Sequence, residues 1–281
     1  MEENNAPFPA YGDEVIQAEG LRKIFALSRR QRALEKTNDA YRIAVDGLDF
    51  RAYRGEIYGL LGPNGAGKTT VFNLLTNVYQ PSRGSILLDG VPTAGKKTYQ
   101  VNRMGVARTF QNIRLFKDLS VIDNVKVGLH QSMNYRLPEA LLRLPSYWKQ
   151  ERKTTDEAIG LLNIFHMSDL AGKQAGSLPY GAQRRLEIIR ALATRPKLLL
   201  LDEPAAGMNP SETAELMEVI RRILDEFDIA ILLIEHDMNL VIGICEGIAV
   251  LNFGRVIAKG TPDEIRSNPQ VIEAYLGKKE G

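Results

Sequence analysis

The sequence predicts an α/β fold, and three observations carry that prediction. The runs Glu56-Ile57-Tyr58-Gly59-Leu60-Leu61, Leu198–Leu201 and Ile229–Ile234 are apolar without polar alternation, the pattern of strands buried on both faces of a parallel sheet. Helical spacing follows each run after a short turn. Hydrophobic residues at 44%, charged residues at 25% and a formal charge of +2 over 281 residues describe an ordinary globular chain, not a collagen-like, low-complexity or disulfide-stapled one. So small a net charge gives no electrostatic bias toward nucleic acid, and none is expected as a partner.

Taken in order, residues 1–13 read as a flexible arm, with an acidic start (Met1-Glu2-Glu3) where a secretion signal needs a basic and then apolar stretch. Val15–Phe25 reads as a strand. Residues 26–42 read as a basic surface insertion holding Arg29, Arg30, Arg32, Lys36 and Arg42, and they interrupt a hairpin whose second strand begins near Ile43. Ser85–Leu88 reads as another short strand. From Val121 to Phe165 the pattern is mostly helical. Pro138 suits the first turn of one helix, Glu151–Phe165 forms another, and Trp148 is expected to pack inside this unit. Arg184–Ala193 and residues 211–226 complete the helices. The lone cysteine, Cys245, has no partner for an internal bridge. The densest apolar run, Ile229–Ile234, is too short to cross a bilayer, so a cytosolic chain that reaches a membrane only through a partner is expected.

Chemistry enters with Gly62-Pro63-Asn64-Gly65-Ala66-Gly67-Lys68-Thr69, a full match to the phosphate-binding loop G-x-x-x-x-G-K-[ST]. Its glycines let the backbone curl until several N–H groups face one anion, and the helix that follows adds its positive end. Lys68 is placed to reach the β- and γ-phosphates, and the Thr69 hydroxyl to hold magnesium. Leu198–Leu201 ends in Asp202-Glu203: Asp202 is assigned to magnesium through water, and Glu203 to orienting or deprotonating an attacking water. His236 closes the run Ile229–Ile234 at the strand edge where open α/β sheets bind ligands. No N-K-x-D guanine-reading motif occurs in the chain.

With these motifs in order, the sequence resembles the ATP-binding subunits of ABC transporters from about residue 15 to the end, apart from the insertion. The resemblance implies a P-loop NTPase, an ABC-type nucleotide-binding domain with a RecA-like core sheet, antiparallel strands and an inserted helical subdomain at 112–176. It makes 14–281 one ATPase domain with a C-terminal tail at 261–281. Arg108-Thr109-Phe110-Gln111 resembles the Q-loop, so Gln111 would contact magnesium and water. Leu178-Pro179-Tyr180-Gly181-Ala182-Gln183-Arg184-Arg185 resembles the signature, Ala206-Gly207-Met208-Asn209-Pro210 the D-loop, and His236 the switch histidine. Nucleotide contacts would then fall on Gly62 through Thr69, Thr70, Tyr180 and Gly181. Phe25 would stack on adenine, with Tyr41 as the alternative. The strings from Leu201 to Pro210 and Leu233 to Met238, with the ending from Gly260 to Gly277, resemble branched-chain amino-acid importers, and the longer of their two ATPase subunits in particular.

The resemblance implies ATP and Mg²⁺, a second ATPase subunit (self or homologue) in a sandwich dimer, membrane permease subunits and, indirectly, a periplasmic or extracellular substrate-binding protein. It implies a place on the cytoplasmic side of the inner membrane. Pro179 departs from the family, where serine donates a hydroxyl to the γ-phosphate across the dimer, and Ala182 replaces a glutamine. One hydrogen bond fewer, worth roughly 1.5–3 kcal/mol if charge-assisted, weakens closure without abolishing it. An ATP-binding scaffold with little turnover, or import of urea or amides, are the alternatives. Motors of DNA repair or translation carry a long coiled coil or a second cassette, which this chain lacks.

Overall fold

The computed structural model describes residues 13–130 and 145–276. The six-residue pattern Leu137–Leu142 and nearly all of the N-terminal arm lie outside the described residues. Two sheets organise the chain. The first pairs β1 (Glu14–Ala26), β2 (Tyr41–Tyr53), β4 (Arg83–Leu88) and β5 (Val91–Pro92) antiparallel in the order β2-β1-β4-β5. The second has the order β10-β9-β3-β8-β7-β6, with β3 (Ile57–Leu61), β6 (Val106–Arg108), β7 (Leu198–Asp202), β8 (Ala230–Glu235) and β9 (Gly247–Asn252) parallel. β10 (Arg255–Gly260) returns antiparallel to β9. The three expected apolar strands are its centre; β6 and β9 join them.

The apolar runs are unbroken because each face of this sheet has its own core. Leu199, Leu201, Ile231, Leu233, Ile248 and Val250 face one cluster with the helices α4 (Val121–Leu129), α5 (Pro145–Ile164), α6 (Tyr180–Leu192), α7 (Pro210–Glu226) and α8 (Met238–Ile244). Leu198, Leu200, Leu232, Ile234, Ala249 and Leu251 face the other, with the antiparallel sheet, α2 (Lys68–Leu75) and α3 (Thr98–Arg103). Gly59 has no side chain because α8 lies against it: a Cβ there would sit 2.8 Å from Val241 and 2.9 Å from the Cys245 sulfur.

The basic insertion is built into the hairpin it interrupts. Ser28 caps the short helix α1 (Arg29–Glu35), and the strands close again where Ala26 pairs with Tyr41, two residues before the expected start. Trp148 corrects an expectation. It is half exposed, edge to face with Tyr147, because the buried side of α5 is formed by Thr154, Ala158 and Leu162 further along the helix.

Candidate active site

Parallel strands end together, so their carboxyl ends form one rim. Leu61 pairs with Glu235 and Asp202 with Ile234, which brings the phosphate loop, Asp202-Glu203 and Glu235-His236 side by side. Gly67 takes φ 104°, and a Cβ there would strike the Ala44 carbonyl of β2, so the loop curls against the antiparallel sheet only as glycine. Lys68 is the first residue of α2, buried, with its ammonium donating to the Gly62 and Pro63 carbonyls. Burial lowers its pKa, while the nearby Glu203, Glu235 and Asp202 oppose that fall. Thr69 is exposed at the helix start and Thr70 half-buried.

The acids are held by different partners. Asp202 is buried and paired with Arg108 at 2.6 Å, and Arg108 also donates to Asn73 at 2.8 Å. Glu203 stands in the left-handed region at φ 44°, a conformation costing about 1–3 kcal/mol in a non-glycine residue. That turn lifts Glu203 out of the strand direction, so it leaves Asp202 and meets Gln111, which donates to it at 2.9 Å, and His236, whose Nδ1 lies 3.7 Å away. Glu235 is buried, accepting from the backbone N–H groups of Ala205 and His236. Burial raises its pKa against those two bonds. His236 Nδ1 is 3.6 Å from it, with the ring half exposed.

The segments that resemble the signature and the D-loop touch within the chain. Pro179 is the N-cap of α6, without a side-chain capping bond. Tyr180 donates its hydroxyl to the Ala206 carbonyl at 3.0 Å, and Gly181 lies against Glu212. Phe25 is half-buried, edge to face with Tyr79 at 5.2 Å and beneath the Lys23 ammonium. Tyr41, on the paired strand, is 65% exposed. Thr69, Asp202 and Gln111 offer the hard oxygen donors that suit magnesium, a cation that keeps waters and leans on substrate phosphates.

The structure thus brings Lys68, Asp202, Glu203, Gln111 and His236 to one rim, and places Tyr180 and Gly181 at the start of α6 rather than around Lys68. Three further residues belong to the arrangement and were not assigned from sequence: Arg108, Glu235 and Arg184. Arg108 stands in the string that resembles the Q-loop and Glu235 next to His236, but residue type alone does not say that Arg108 pairs with Asp202 or that Glu235 is buried.

The ABC transporter family model matches residues 45–206. This chain belongs to the ABC transporter family. It is an ATP-binding ATPase subunit, and a second model, for branched-chain amino acid ATP-binding cassette transporters, matches residues 255–280. The chain is 48% identical over 236 residues to the high-affinity branched-chain amino acid transport ATP-binding protein LivG of Escherichia coli K12, covering 84% of this chain and 92% of LivG. It is 45% identical, with the same coverage, to BraF of Pseudomonas aeruginosa PAO1, which carries the same description. The fold matches the ADP conformation of the ATP-binding cassette MJ1267 with a TM-score of 0.77 at 26% identity, over 95% of this chain and all of MJ1267. The cassette is one subunit of a transporter, and among the described residues no helix is long and apolar enough to cross a membrane.

Proposed function

We propose that this cassette hydrolyses ATP to drive import of branched-chain amino acids through membrane permease subunits, working as a sandwich with a second ATPase subunit. The observation that carries the reading is the convergence of Lys68, Asp202, Glu203, Gln111 and His236 on one strand rim. Lys68 and the loop amides bind the β- and γ-phosphates. Thr69 and Asp202, with Gln111 beside them, would hold magnesium, which would supply charge neutralisation at the phosphates. Glu203 orients the attacking water and takes its proton, and His236 hydrogen-bonds the γ-phosphate. Adenine lies toward the β1–β2 hairpin, against the ring of Phe25 or Tyr41.

The start of α6 faces the nucleotide held by the other subunit. With Pro179 there, the contact rests on backbone N–H groups near Gly181 and on the helix dipole. Closure excludes water and completes both sites; hydrolysis reopens them. The subunit sits at the cytoplasmic face of the inner membrane through the permease, which receives amino acids from a binding protein outside. The test is Glu203→Gln in the complex reconstituted in proteoliposomes. Hydrolysis is expected to fall at least about 100-fold with ATP still bound, and uptake of radiolabelled leucine to stop. Turnover at the normal rate removes Glu203 from its role.

A further inference from the structure

Arg184 has no place in phosphate chemistry, yet it is a large charged side chain with no exposed surface. Its guanidinium donates from Nη1 to the Phe110 carbonyl at 2.6 Å and to Glu187 at 2.9 Å. From Nη2 it donates to the Gln111 carbonyl at 2.7 Å, with the Tyr180 hydroxyl at 3.4 Å. Glu187, one turn further along α6 and also buried, uses its other oxygen to accept from the Arg114 N–H at 3.0 Å. Arg190 bonds the Arg114 carbonyl. Three successive arms of α6 therefore hold the backbone at 110, 111 and 114.

The residues just before are held by a different body. Thr109 N–H bonds the Leu200 carbonyl of β7 at 2.9 Å, and Arg108 is tied to Asp202 and Asn73. The change of allegiance falls between the Thr109 amide and the Phe110 carbonyl. The Phe110 ring there meets two guanidinium groups, Arg108 at 5.1 Å and Arg114 at 4.1 Å from its centroid, one from each side of the change.

We propose that Arg184, with Glu187, is a positioning residue that makes the Gln111 segment a rigid part of α6. The distance from Gln111 to Glu203 is then set by where α6 stands. Since the start of α6 is the part that meets the partner's nucleotide, engagement there holds Gln111 on Glu203 in the same subunit, the contact seen at 2.9 Å, and each site senses whether the other is filled. A buried planar fork bonded to two adjacent carbonyls and a carboxylate fixes orientation as a lysine ammonium does not. The inference rests on the proposed function.

The experiment uses the reconstituted transporter with Arg184→Lys, which keeps a cation for Glu187 but not the two-pronged grip. The expected result is a kcat for ATP reduced about tenfold with KM within about twofold, since misplacement affects the transition state more than nucleotide binding. Leucine moved per ATP hydrolysed is expected to fall, and the Hill coefficient for ATP to drop toward one. Leu192→Val, a buried change elsewhere on α6 chosen to match the loss in Tm, is expected to leave kcat, coupling ratio and Hill coefficient unaltered. Glu187→Gln, which retains the oxygen that accepts from Arg114, gives the same pattern at smaller size and carries the test if Arg184→Lys does not fold. Wild-type kcat and coupling in the variant tested, or an equal kcat loss in Leu192→Val, overturns the inference. A Glu203→Gln complex run alongside separates the failures: if it hydrolyses ATP normally the site reading itself is wrong, and if it is inactive while the Arg184 and Glu187 variants behave as wild type only the positioning role is lost.

Discussion

The two ends of the parallel sheet bury acids in similar surroundings and treat them differently. At the carboxyl ends, Asp202 has Arg108 against it, and Lys68 lies within the field of Asp202, Glu203 and Glu235. At the amino ends, Glu56 is buried and Glu246 half-buried. Glu56 accepts from the Tyr53 N–H at 2.9 Å and Glu246 from the Ile57 N–H at 2.6 Å. Burial pushes the Glu56 carboxyl up to about 7, with the charge of Glu246 adding to the rise and the Tyr53 bond opposing it. Burial also raises Glu246, eased by its own backbone bonds and by Arg221. Depth in the fold does not make an acid functional. What distinguishes Asp202 is a guanidinium held against it at 2.6 Å, whereas Glu56 rests on a backbone N–H.

The comparison breaks most visibly at Lys68. Lys68→Ala removes the cation that the three rim acids share, and hydrolysis is expected to fall at least about 100-fold with weakened ATP binding. A phosphate-release assay and nucleotide titration check both.

Arg108→Met is next in size. It leaves Asp202 buried without its partner, and loss of one member of such a pair costs about 3–5 kcal/mol. Urea unfolding should report that loss, and adding Asp202→Asn should recover most of the stability but none of the activity. If Arg108→Met alone unfolds at the wild-type urea concentration, the pairing contributes nothing.

The smallest effect belongs to the opposite rim. Folded Glu56 keeps its proton to about pH 7, whereas an ordinary carboxyl loses it near 4.5. The folded state therefore binds more protons than the unfolded one across that window, and stability falls as pH rises through it. Glu56→Gln should flatten that part of the stability profile and leave the variant more stable than wild type at pH 8, by on the order of 2 kcal/mol. Parallel melts at pH 5 and pH 8 measure it, and an unchanged slope contradicts the assignment.

Much of the site was legible because its elements are local. A phosphate loop needs glycines, lysine and a hydroxyl at fixed spacing, and Gly62 to Thr69 supply them in one stretch. Asp202, Glu203 and His236 each announce themselves as the polar end of an apolar run. Arg108, Glu235 and Arg184 were harder to read. Arginines are common before a helix or in a basic pair, and nothing in residue type says that the guanidinium of Arg184 turns inward to the carbonyls of residues 73 and 74 positions earlier. Trp148 was misjudged for the converse reason: a large aromatic residue is usually buried, but its position on α5 is fixed by which turn meets α4.

By itself the sequence determined the strands, the curled loop and the order of the motifs, because each depends on residues within about a dozen of one another. Only the tertiary structure decided which charges are paired, how Glu203 turns away from Asp202, and which body the Gln111 segment follows. Those outcomes depend on carbonyls and carboxylates brought together by packing, and burial then multiplies the strength of whatever contact results.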